Sequence, residues 1–232
     1  LLIYHSQDGV THKHCSYSKA PETSLAPKEQ DITQVDRSKA LLEYGRFDEA
    51  LSGLNPLPDA PEILEEALLQ KSLALYHLRR YQGCWRTISE CCQKYPKNTE
   101  AEILRSRVLD RLKELENGQY PFARMKVEAL QVSDLDHATF MGPISIRMTN
   151  GRCHGLFTTA SVKAGDHFLC EMAFAYLCSG AENIQDEADL VSMIVQKLRQ
   201  NPSLETQIAH LNCKTCEPII KKLSDGSFIV NL

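Results

Sequence analysis

Ser38-Lys39-Ala40-Leu41 and Ser72-Leu73-Ala74-Leu75 lie 34 residues apart, and the residues downstream of each keep the same offset. Arg46-Phe47 answers Arg80-Tyr81, Ala50 answers Cys84, and Leu54 answers Ile88. The residue types make physical sense as paired helices. Small side chains at 50 and 84 let a second helix approach the first closely, and an aromatic ring at 47 or 81 covers the turn between them. Around this repeat, from about Asp31 to Glu116, leucine and alanine recur at helical spacing, with breaks near Pro56–Pro61 and Pro96. Apolar residues at 101, 104, 108, 112 and 115 follow the i, i+3/i+4 rule over one long helix, and Gly118 marks its end.

A period of 34 with an aromatic, then a small residue three positions later and an apolar one four beyond that, resembles the tetratricopeptide rhythm. Two repeats are expected, followed by the first helix of a third over 98–116. The tryptophan-leucine-glycine opening of the ideal repeat is absent from both copies. An array of three or more repeats is normally needed to stand alone, so this one is expected to dock on the next domain in the chain. Its concave face could also hold an extended peptide, making a protein substrate or peptide the expected partner. Trp85 is read as packing. Cys91 and Cys92 are neighbours on a helix and point to different faces, so one is read as core and the other as partly exposed.

The chain has 232 residues, 26 lysine and arginine against 30 aspartate and glutamate, and a net charge of −4. With a pI near 6.1, this balance excludes a chain whose main task is non-specific nucleic-acid binding. A hydrophobic content of 43% with 24% charged residues is that of a folded globular protein. No apolar run reaches the ~18 residues a membrane span needs, so no membrane partner is expected. Residues 1–5 lack the pattern of a secretory signal. The nine cysteines are read as reduced thiols in the cytoplasm or nucleus. The first residue is not methionine, and an apolar strand-like run precedes Leu232; both ends are expected to be cut from something longer.

The pattern changes after 118. Residues 142–148 alternate apolar and polar with period two and predict a strand. Thr149-Asn150-Gly151 reads as a turn, Gly155–Thr159 as a second strand, and His167–Glu171 as a third. Residues 187–200 return to helix with Val191, Ile194, Val195 and Leu198 on one face, and a short helix comes next, from Pro202 to about Leu211. A last strand is expected at Ser227–Val230.

Four segments in this region carry a family resemblance. They are Gly142-Pro143-Ile144-Ser145-Ile146-Arg147, Gly151-Arg152-Cys153-His154-Gly155-Leu156-Phe157, Val162-Lys163-Ala164-Gly165-Asp166, and Cys170-Glu171-Met172-Ala173-Phe174-Ala175. Together they resemble the N-terminal half of a SET domain, the fold of protein-lysine methyltransferases. Upstream, Arg111–Tyr120 and Asp136–Phe140 look like the join in proteins that carry tetratricopeptide repeats before such a domain, an architecture similar to the SET-and-MYND group. The resemblance implies an α+β protein. Its expected plan is an irregular lead-in at 1–30, helical repeats at 31–117, a connector at 118–141, and at 142–232 a partial, strand-rich SET domain with inserted helices.

The same resemblance implies an S-adenosylmethionine site, one wall of which would be Arg152, Cys153, His154 and Gly155. Glycine at such a wall lets backbone groups approach a ligand with no Cβ in the way. The family's first glycine of the pair is Cys153 here, which would be strained if the backbone there needed positive φ. The family also uses a later Asn-His segment and a tyrosine that positions the lysine amine. No Asn-His pair occurs in this sequence, and no tyrosine follows Tyr176. No catalytic residue is therefore assigned, and the expectation is a fragment of a lysine methyltransferase, inactive on its own. The alternative is a non-catalytic tetratricopeptide scaffold with a degenerate SET remnant. Cys213-Lys214-Thr215-Cys216 has half the spacing of a zinc site but lacks two further ligands, and His12, His14 and Cys15 lack a second pair, so no zinc is expected.

Overall fold

The computed structural model describes residues 27–132, 135–149, 152–177, 184–208, 220–222 and 228–230. Its first part repeats in space with the period seen in the sequence. Helix α1 (Pro27–Glu43) and helix α3 (Pro61–His77) each have 17 residues and begin at proline, where a missing N–H costs nothing. Helices α2 (Phe47–Gly53) and α4 (Tyr81–Lys94) begin 34 residues apart.

The two inter-helix turns share one hydrogen-bond pattern. The Arg46 N–H donates to Leu41 O at 2.9 Å, and its counterpart Arg80 donates to Leu75 O at 2.8 Å. Each turn passes through one left-handed residue, Gly45 (φ 71°) in the first and Arg79 (φ 58°) in the second. An arginine in that region carries steric strain that glycine does not, yet the turn geometry is kept.

The core forms where the helix pairs meet. Ala50 and Cys84, the small residues of the repeat, are fully buried, as are Leu68, Ala74, Ile88, Cys91 and Val108. Burying one such leucine or isoleucine side chain stabilises the fold by roughly 1.5–3 kcal/mol. Cys91 and Cys92 depart from the expectation that one of them is partly exposed. Both are buried, because α4 lies between α3 and helix α5 (Thr99–Asn117), which cover its two sides. Trp85 packs against the same core.

Helix α5 is capped by Asn98, whose side chain accepts from the Ala101 N–H at 2.8 Å. Its expected apolar stripe is buried at Ala101, Leu104, Val108 and Leu112. Leu115 departs from it, being 38% exposed. In the last turns the buried positions are taken by Arg111 and Glu114 instead.

Beyond α5 the stretch read as a connector contains helix α6 (Phe122–Glu128) and, at its end, strand β1 (Phe140–Met141). β1 pairs antiparallel with β4 (Leu169–Cys170). The strand expected at 142–148 is β2 (Ile144–Thr149), which starts after Pro143, a residue with no N–H for a ladder. β2 pairs antiparallel with β3 (Arg152–Thr158). Helix α7 (Ile184–Gln200), a 3₁₀ turn (Pro202–Leu204) and the short helix α8 (Glu205–Ile208) come next. Two short strands, β5 (Ile220–Lys222) and β6 (Phe228–Val230), form a third two-stranded ladder. The fold is α+β with small sheets, and among the described residues no helix is long and apolar enough to cross a membrane.

The segment after α7 returns to the start of the helical array. Asn201 Oδ1 accepts from the Phe47 N–H at 2.7 Å and the Asp48 N–H at 3.2 Å, supplying the α2 N-terminus with a cap its own Arg46 does not give. The Asn201 amide donates to Gly45 O at 2.7 Å, and Asp48 accepts from both the backbone N–H and the hydroxyl of Ser203. Leu198, Leu204 and Ile208 join the array's own core.

Candidate functional site

The proposed wall residues sit together on β3, at the turn end of the β2–β3 hairpin. Its register sets Thr149 opposite Arg152, Met148 opposite His154, and Arg147 opposite Gly155. Two residues on β2 therefore span three on β3, and Cys153 is the extra one, the residue of a β-bulge. Bulges increase local twist and re-aim side chains, and here one falls where the family resemblance places a glycine. Arg79 is the non-glycine residue with positive φ among the described residues. The strain considered for Cys153 is therefore absent.

Gly155 sits in a tight space. A Cβ there would lie 2.9 Å from Phe157 Cε2 and 3.0 Å from Thr149 Cγ2. The Phe157 ring, two residues on and so on the same face, folds over the glycine, with the Arg147 guanidinium 5.9 Å from its centroid. The opposite face of the hairpin carries Ile146, Met148 and Leu156, which are 51%, 74% and 47% exposed. A two-stranded hairpin with an apolar face in water is marginal by itself.

These features bear on whether the hairpin suits S-adenosylmethionine. The space a Cβ at Gly155 would take is occupied by the chain's own Phe157 and Thr149 side chains. The outer edge of β3 has no neighbouring strand among the described residues. Cys213 and Cys216 lie outside the described residues. Among the described residues, no group of three or more His, Cys, Asp or Glu side chains is placed to hold a metal ion.

A second constellation, where α5 meets the strand half, has the densest chemistry. Glu114 is buried and accepts three hydrogen bonds, from Arg111 Nη2 at 2.7 Å, His137 Nδ1 at 2.7 Å and the Ala138 N–H at 2.8 Å. Asp136 accepts from Tyr76 Oη at 2.7 Å and Arg107 Nη2 at 2.8 Å, with Arg111 Nη1 at 3.4 Å. Burial alone pushes the Asp136 carboxyl up, but the bonds from Arg107 and Tyr76 outweigh it and hold the group below the usual carboxylate range. Burial, reinforced by the bond to Asp136, pushes the Tyr76 phenol well up. The Arg107 guanidinium also lies 4.9 Å from the Tyr76 ring centroid.

The same junction is closed by packing. The Tyr120 hydroxyl donates to Ala138 O at 2.6 Å. Gly118 ends α5 in the left-handed region (φ 62°), and a Cβ on it would lie 2.6 Å from the Phe140 ring. Beside the junction is an open groove of ≈ 660 Å³, walled by Lys113, Tyr120, Phe122, Arg124 and His167 among others. The groove includes none of Arg152–Gly155. Arg111 and Glu114 stand out in the sequence only as part of a join. A sharper signal was available, since 101, 104, 108 and 111 continue the buried spacing of α5 and put an arginine on it.

No family model matches the sequence, and no solved structure gives a significant match. A protein of Gibberella zeae named "Methyltransferase" is 29% identical over 233 aligned positions, covering 93% of this chain and 32% of its own length. The chain thus spans about a third of the length of the curated relative it matches.

Proposed function

We propose that the chain is part of an S-adenosylmethionine-dependent protein-lysine methyltransferase, with tetratricopeptide repeats packed against the first half of a SET domain. The single observation that carries the reading is the likeness to a methyltransferase along 93% of the chain. The Ile144–Arg147 and Arg152–Phe157 parts of the resembling segments support the SET assignment, since they pair as one hairpin. On this reading, backbone groups of Arg152, Cys153, His154 and Gly155 line one wall of the cofactor site. The cofactor supplies the methyl group, and the enzyme aligns the lysine amine with it. The helical array presents the protein substrate.

The complementary wall requires an Asn-His segment and a positioning tyrosine, which this sequence lacks after Tyr176. The 232 residues alone are therefore proposed to be inactive. Isothermal titration of the chain with S-adenosylmethionine tests this. Heat consistent with micromolar binding would contradict a half-site, and no binding up to about 100 μM agrees with it.

A second reading, a non-catalytic scaffold that uses its helices to hold a peptide, is favoured by the distribution of burial. Most of the main core cluster belongs to α1–α5, whereas Ile146, Met148, Leu156 and Phe157 on the hairpin remain exposed. A pull-down with the full chain tests it: if no partner is released by substitutions on α1 and α3, the scaffold reading falls.

A further inference from the structure

We propose that the groove beside the α5 junction binds an acidic peptide, one that carries a carboxylate next to an apolar side chain. The groove has a volume of ≈ 660 Å³, a size at which small ligands and short peptide segments are held. The end of α5, the 118–121 segment, the start of α6 and His167 wall it. Its charge runs against that of the molecule. The chain carries a net charge of −4, yet Arg111, Lys113 and Arg124 line the groove against one acid, Asp110.

Two of these cations are held only loosely by the chain itself. Lys113 lies 3.7 Å from Asp110 on the same helix, and Arg124 pairs with Glu128 at 2.9 Å. Exposed pairs along one helix are worth little in water, so an incoming carboxylate exchanges with them at small cost. Arg111 differs. Its side chain is 5% exposed, Glu114 and Asp136 engage its two Nη atoms, and its Nε is buried with no hydrogen-bond partner among the described residues. A buried donor left unpaired is costly, and this one belongs to a residue of the groove wall.

A carboxylate alone does not match the rest of the lining. Phe122 is 42% exposed, and its ring centre lies 5.7 Å from that of Tyr120 and 5.0 Å from that of His167. The rings are tilted by 39° and 56° from one to the next, so they offer no flat platform for stacked nucleobases. An aliphatic or aromatic side chain packs against tilted rings without that requirement. The Tyr120 hydroxyl is already bonded to Ala138 O, which holds that ring in place. An acid and an apolar side chain on one peptide meet the cations and the rings together. The groove includes none of Arg152–Gly155, so the proposal stands independently of the methyl-transfer reading.

Fluorescence anisotropy of the full chain with a labelled peptide of alternating glutamate and phenylalanine tests it. Saturable binding is expected below about 1 mM, weakening as salt rises. The same peptide with glutamine in place of glutamate should bind at least about tenfold more weakly. Lys113→Glu and Arg124→Glu should each lower the affinity about three- to tenfold, and Phe122→Ala by a similar factor. Lys97→Glu, an exposed site outside the groove, should leave it unchanged. Lys113, Phe122 and Arg124 are exposed, so these variants keep the fold, and circular dichroism checks it. Equal affinity for the glutamine peptide, wild-type affinity in both charge-reversal variants, tighter binding of a labelled single-stranded oligonucleotide, or no saturation below about 1 mM would overturn the proposal.

Discussion

Replacing Glu114 by alanine removes a carboxylate that is 2% exposed and its three hydrogen bonds, leaving Arg111, itself 5% exposed, without its closest counter-charge. Asp136 is still 3.4 Å from Arg111, but it is already shared with Tyr76 and Arg107. Breaking one side of a buried pair costs about 3–5 kcal/mol, mostly because the surviving charge stays buried. For comparison, Glu90→Ala, which breaks the exposed Lys94–Glu90 pair at 2.8 Å, should leave the midpoint nearly unchanged, because solvent screens such a pair. With a urea slope of about 2 kcal/mol/M, Glu114→Ala should lower the unfolding midpoint by roughly 1.5–2.5 M. The double substitution Arg111→Met/Glu114→Leu removes both charges and should recover at least about 1 kcal/mol of the loss. It should not recover everything, since the Ala138 N–H and His137 Nδ1 lose their acceptor. Equilibrium urea unfolding of the three variants gives the numbers. A Glu114→Ala midpoint matching that of Glu90→Ala would refute the reasoning, as would a double variant less stable than the single.

Gly118→Ala should cost about 2–4 kcal/mol, adding a side chain in the left-handed region to the clash with the Phe140 ring; a thermal midpoint equal to wild type would show that the ring moves aside freely. The Asp136 carboxyl is held below its ordinary range, so its ionised form adds stability that is present above the unfolded carboxylate pKa and is lost as pH falls below about 4. Asp136→Asn should flatten that acid limb, and unchanged steepness in urea titrations from pH 7 to pH 2.5 would count against it. Burial pushes the thiol of Cys84 up to about 12 and that of Cys91 up to about 11, and the thiolate is the reactive form. Neither should react with a disulfide reagent at pH 8 until the chain is unfolded, which peptide mass mapping reads directly.

The helical half was legible because its signal is local and periodic. The 34-residue offset of the sequence reappears in the starts of α1 and α3 and of α2 and α4, and the same turn hydrogen bonds recur at Arg46 and Arg80. The β2–β3 hairpin was legible from alternation, and Gly155 from its motif, although the structure gives the glycine a packing role under Phe157. What could not be read was the chemistry assembled across long separations. Asn201 caps α2 from more than 150 residues away, and nothing near either residue announces it. Glu114 and Arg111 resemble surface charges one residue at a time, and only their partners at His137, Ala138 and Asp136 explain why they are buried. The exposure of Leu115 comes from the same substitution of charge for apolar contact at the end of α5.

The proposed methyl-donor wall is tested most directly by nuclear magnetic resonance titration of the labelled chain with S-adenosylmethionine to several millimolar. A single wall predicts amide shifts centred on Arg152–Gly155 that do not saturate below about 1 mM. Saturation in the micromolar range would mean a complete site, and shifts confined to other residues would mean that β3 does not face the cofactor.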